Sequence, residues 1–131
     1  RSLDLVAETV EAAVDAYGLD PGRVGLLGFS QGAITGLSLV LEGPDRYAWV
    51  VALHGYLAGS HTDRDPDGID GKPVFVGSGD GDRVIPASRT EAAVERLDAV
   101  GADVTHGRFP GGHGIGPQEL AALVAFVESQ V

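Results

Sequence analysis

At 131 residues the chain is long enough to bury a core as one domain, and the absence of cysteine excludes disulfide staples and thiolate chemistry. A formal charge of −10, from 19 acidic and 9 basic residues, makes a surface that repels nucleic acid and anionic membrane. No apolar run reaches the roughly 18 residues of a membrane span and no signal-peptide pattern opens the chain, so the expected location is cytoplasmic. Lys72 is the single lysine, an acidity that suits high salt as well as it suits a plainly well-solvated surface.

Leu3, Val6, Val10, Ala13, Val14 and Tyr17 recur at helical steps, with Glu8, Glu11 and Asp15 on the other face. They predict an amphipathic helix that starts near Ser2 or Asp4 and ends at Gly18. The chain opens in this helix without a Met and is expected to begin inside a longer protein. Asp20-Pro21-Gly22 is a turn. Val24 to Leu27 is apolar on both faces, as in a buried parallel strand. Gln31 to Leu41 reads as a helix whose small residues, Gly32, Ala33 and Gly36, allow close packing on a sheet. Gly43-Pro44 stops it, and Trp49 to Leu53 is a second strand. A polar loop from about Gly55 to Lys72 leads to a third strand, Val74 to Val76. Ser88 to Val100 is a helix capped by Gly101, Val104 to Phe109 a fourth strand, and Pro117 to Val131 a last helix. The alternation implies an α/β fold: a mostly parallel sheet of about four strands with helices on both faces. No repeat or linker divides residues 1–131, which are expected to form a single domain.

Gly28-Phe29-Ser30-Gln31-Gly32 is a G-x-S-x-G nucleophile elbow between a strand and a helix. Its flanking glycines are expected to relieve Cβ collisions at both positions and leave the Ser30 hydroxyl free. Functional groups of a parallel sheet gather beyond the carboxyl ends of strands. Asp82 follows the third strand and His113 the fourth, giving the order Ser…Asp…His. Ser30 would be the nucleophile and His113 the base, with Asp82 holding the imidazole and the Gln31 backbone N–H facing the oxyanion. Asp80 competes with Asp82 as the acid.

Four blocks carry a family resemblance: Gly28-Phe29-Ser30-Gln31-Gly32-Ala33, Ala52-Leu53-His54-Gly55-Tyr56-Leu57, Gly79-Asp80-Gly81-Asp82-Arg83-Val84-Ile85-Pro86, and His113. With them the chain resembles the phospholipase/carboxylesterase family, the acyl-protein thioesterase-like branch of the α/β-hydrolases. The resemblance implies cofactor-free hydrolysis of carboxylic esters or thioesters, with the roles of nucleophile, acid and base on Ser30, Asp82 and His113. It favours Asp82 over Asp80. The family usually has Ser where this chain has His54, a difference expected at the wall of the site and not in the triad. The family also carries strands before the first helix seen here, one of which ends in a His-Gly loop that supplies a second oxyanion N–H. Nothing upstream of Ser30 matches that loop, so the domain is expected to be N-terminally incomplete. The strand from Val24 is then an open edge, to be covered by an upstream segment or by a second copy in a homodimer.

Leu57, Ile85 and Ile115 are the expected apolar wall for a small-molecule ester or thioester. His54, His61 and His106 share no metal-ligand spacing and read as scattered polar histidines, so no metal and no cofactor is expected. Asp63-Arg64-Asp65-Pro66-Asp67-Gly68-Ile69-Asp70 imitates a calcium loop, but its twelfth position is Val74 and not Glu, which leaves a solvated acidic loop. The competing functional reading is a non-catalytic or truncated hydrolase-like module that pairs with another subunit.

Overall fold

A computed structural model describes residues 2–20, 23–59 and 66–131. Several positions singled out above lie outside them: Pro21 and Gly22 of the turn, His61, Asp63 to Asp65, and the side chains of Ser2 and Leu3. The chain runs α1 (Ser2–Tyr17), β1 (Gly25–Phe29), α2 (Gln31–Glu42), a 3-10 turn (Pro44–Arg46), β2 (Trp49–Leu53), β3 (Pro73–Gly79), α3 (Ala87–Ala99), β4 (Asp103–Phe109) and α4 (Pro117–Gln130). The strands stand in the order β1-β2-β3-β4, and every neighbouring pair is parallel.

Register explains why this fold makes a site. Phe29 pairs with Leu53, Leu53 with Gly77, and Gly79 with Phe109. The carboxyl ends of all four strands therefore share one rim. The segments that follow them, at Ser30, His54, Asp80 to Asp82 and Pro110 to His113, emerge side by side. The third strand is longer than the Val74 to Val76 that its apolar run predicts. The strand extends through Gly79 because these residues pair with Gly107 to Phe109 of β4.

Strand alternation divides the core into two layers. Val50, Ala52, Val74 and Val76 pack with Ala33, Leu37, Val40 and Leu41 of α2 and Ala93 and Leu97 of α3. On the opposite face, Val51, Leu53 and Phe75 pack with Leu123 and Phe126 of α4. Helices thus cover both faces, and the strands carry apolar residues at successive positions for that reason. Gly18, at φ +63°, ends α1, and Leu19 N–H reaches back to Val14 O at 3.0 Å, a Schellman closure. The apolar face of α1 is less covered than its periodicity suggests. Val10, Ala13 and Val14 are half-buried, whereas Tyr17 is 79% exposed. Among the described residues β1 has only β2 beside it, and its Leu27 is 56% exposed.

Leu97 is fully buried between α3 and the sheet. Leu97→Ala is expected to cost about 2–5 kcal/mol in urea unfolding. Leu120→Ala, at a position 52% exposed, is expected to cost no more than about 0.5 kcal/mol.

Candidate active site

Ser30 joins β1 to α2 with φ 55° and ψ −113°, a backbone conformation that L-residues rarely hold. Its environment fixes it there. Ser30 N–H donates to Leu53 O at 2.8 Å, and Ser30 O accepts from Ala33 and Ile34 N–H at 3.0 and 3.1 Å. Gly28 is required by close approach, because a Cβ there would lie 2.2 Å from the carbonyl oxygen of Gly32. The steric expectation fails for Gly32 itself, whose Cβ would meet nothing within 4 Å. The crowding is Gly32's backbone pressing on Gly28, so only one of the two glycines relieves it.

The loops after β3 and β4 are fastened to each other. Asp80 N–H donates to Phe109 O at 2.9 Å, and Gly81 N–H to Gly111 O at 2.8 Å. Gly111 turns the second loop at φ +108°. These closures bring three distant residues into series. Ser30 Oγ lies 2.8 Å from His113 Nε2, and His113 Nδ1 lies 2.7 Å from Asp82 Oδ2. An ionised carboxylate only accepts, so Nδ1 carries the hydrogen and Nε2 is left to accept from the serine hydroxyl. Asp80 is engaged elsewhere: its Oδ1 accepts from Arg108 Nε at 2.9 Å. Of the two acids, Asp82 is the one that meets the imidazole.

Asp82 Oδ1 accepts from Val84 and Ile85 N–H, both at 2.9 Å. Burial alone would raise its pKa. Hydrogen bonds from His113, Ile85 N–H, His54 and Val84 N–H outweigh that effect and hold the carboxyl well below the ordinary carboxylate range.

His54 does not fit the site-wall role expected of it, nor is it a scattered polar histidine. It is 1% exposed and occupies the one other non-glycine position of positive φ (57°) among the described residues. Its Nδ1 lies 3.0 Å from Asp82 Oδ2, the oxygen that also serves His113. Its Nε2 lies 2.7 Å from Oε1 of Glu119, a buried residue of α4. Glu119 was not anticipated from sequence. The one available signal was that His54 stands where the resemblance led to a Ser.

Gln31 opens α2, where helix amides lack intrahelical acceptors, so its N–H is available beside Ser30. Of the wall residues, Ile115 is 45% exposed on the loop that carries His113. Leu57 and Ile85 are packed inward. Leu57 lines a cavity of about 340 Å³ with Tyr56, Arg89, Ala92, Ala93 and Arg96, a lining that includes none of Ser30, Asp82 and His113. His106 donates to or accepts from Ser78 Oγ at 3.0 Å, away from the series. Ligand atoms of His54, Asp82 and His113 lie within 4.8 Å of one another, close enough to hold a metal ion. Both imidazole Nδ1 atoms are already bonded to Asp82 Oδ2, so a metal would have to displace two protons.

Residues 1–131 match the profile described as phospholipase/carboxylesterase. Acyl-protein thioesterase 1 of Gibberella zeae is 31% identical over 127 residues, which are 93% of this chain and 54% of that protein. The Eremothecium gossypii protein of the same name is 32% identical over 137 residues, 100% of this chain and 57% of that protein. The Bacillus cereus carboxylesterase has the same fold, with a TM-score of 0.89 at 20% identity over 98% of this chain and 60% of that one. The chain spans about half the length of the curated relatives it matches.

Asp82 gives the site a pH signature. Its folded-state pKa is lowered, so its stabilising contribution is complete above the unfolded value of about 3.9 and is lost as pH falls through the folded value. Thermal melting followed by circular dichroism is expected to fall below about pH 4 more steeply in the wild type than in Asp82→Asn.

Proposed function

The chain belongs to the phospholipase/carboxylesterase family, and from that membership we propose that it is a hydrolase that cleaves carboxylic esters or thioesters through an acyl-enzyme on Ser30. The observation that carries this reading is the unbroken hydrogen-bonded series Ser30 Oγ, His113 and Asp82. A serine hydroxyl becomes an effective nucleophile when a base takes its proton during attack. His113 Nε2 stands 2.8 Å away for that transfer. Ser30 Oγ forms its bond to the substrate carbonyl carbon as the proton moves to Nε2. His113 then returns the proton to the departing alcohol or thiol, and water repeats the sequence to release the acid. Asp82 holds the ring and stabilises the imidazolium. The Gln31 N–H faces the developing oxyanion, a donor whose loss typically costs about 10²–10³ in kcat. Ile115 offers an apolar surface to the acyl group.

Among the described residues β1 has β2 alone beside it, which favours a second reading, a non-catalytic hydrolase-like module that pairs with another subunit. Light scattering alongside an activity assay separates the two, because an active, clean monomer dismisses the second.

A fluorophosphonate probe is expected to label the wild type at Ser30 and to leave Ser30→Ala unlabelled. Turnover of p-nitrophenyl acetate is expected to fall by about 10⁴-fold or more in Ser30→Ala and His113→Ala. A folded wild type that takes no label would refute the acyl-enzyme reading.

A further inference from the structure

A single imidazole on the acid suffices for the proposed reaction, yet Asp82 carries two. His54 approaches the same Oδ2 as His113, and the two rings stand edge to face, 5.7 Å apart, both against Phe29. Buried polar groups are costly unless bonded, so a fully buried imidazole and carboxylate with no place in the reaction call for an explanation.

Asp82 Oδ2 only accepts, so His54 Nδ1 carries a hydrogen. The 2.7 Å contact between His54 Nε2 and Glu119 Oε1 needs one more proton, on the nitrogen or on the oxygen. In either case the ring is pinned at both ends, and its Nδ1–H is aimed at Asp82. The backbone of β3 makes room for the pair. A Cβ at Gly77 would lie 2.3 Å from Glu119 Oε2, and one at Gly79 would lie 2.9 Å from His54 Cε1. His54 N–H is itself tied to Gly77 O at 2.9 Å.

We propose that His54, held by Glu119, is a positioning residue that locks the Asp82 carboxylate from the side opposite Val84 and Ile85 and so fixes the ring of His113 against Ser30. The proposal rests on the hydrolase reading above. With Nδ1–H donors from two rings on Oδ2 and two amides on Oδ1, the carboxylate has no rotational freedom. Removing His54 leaves Oδ2 held from one side only. A small displacement of His113 from Ser30 then slows proton transfer without touching the substrate's binding surface.

The test combines kinetics with proton NMR on the full chain. His54→Ala is expected to lower kcat for p-nitrophenyl acetate by roughly 10–100-fold with KM little changed. In the wild type, imidazole N–H protons bonded to carboxylates are expected downfield of the amide envelope. His54→Ala should remove one and displace that of His113. Glu119→Leu should reproduce the kcat loss with position 54 still filled. Glu119→Gln, which can still bond Nε2, should recover most of the lost rate. If His54→Ala does not fold, the two Glu119 variants carry the comparison. Wild-type kcat in His54→Ala or in Glu119→Leu overturns the positioning role and leaves the hydrolase reading intact. A wild type that shows the downfield protons yet takes no fluorophosphonate label overturns the hydrolase reading, and the positioning role with it.

Discussion

The Asp82 carboxylate is the point on which the arrangement turns. It accepts two backbone N–H bonds on one oxygen and two imidazole bonds on the other, which fills the acceptor capacity of the group. Val84 and Ile85 belong to its own loop, so turn geometry sets where the acid sits before any distant residue arrives. The histidines then report from the ends of two other strands. A carboxylate held this way stays ionised and keeps the tautomer of His113 that can accept from Ser30. The cost of burying the charge is offset by these four bonds, since a carboxylate in a dry site without them would be strongly unfavourable.

That node exists because four parallel strands end in register. A shift of one strand by a residue would turn its side chains to the opposite face and carry its following loop away from the rim. The small residues near the rim serve the same end: Gly28 lets the start of α2 approach, and Gly79 lets the loop after β4 lie over β3. Fold and site are therefore specified together. The two-layer core fixes the strands, and the strands fix the spacing of hydroxyl, imidazole and carboxylate.

Much of this was legible in the sequence because it is written in local patterns. Apolar runs without alternation mark strands buried on both faces, and the element order follows from their rhythm. The elbow and the two later loops carry a serine, an aspartate and a histidine in a recognisable order. What escaped is what depends on partners far along the chain. Gly77 to Gly79 look like loop residues until β4 pairs with them. The apolar stripe of α1 predicts a face but not how much of it is covered, hence the exposed Tyr17. Gly32 sits in a glycine motif, but the crowding belongs to its neighbour. His54 and Glu119 stand 65 positions apart, and neither lies in a pattern that a helix or strand period would reveal.

Gly77 carries a consequence for how this chain can change over time. The volume its missing side chain leaves is the volume that Glu119 fills. Positions 54, 77 and 119 are therefore linked: a methyl group at 77 forces the Glu119 carboxylate to shift, and a shifted carboxylate loosens its hold on the imidazole. Replacement at any one of these three positions is therefore expected to favour replacement at the other two among relatives.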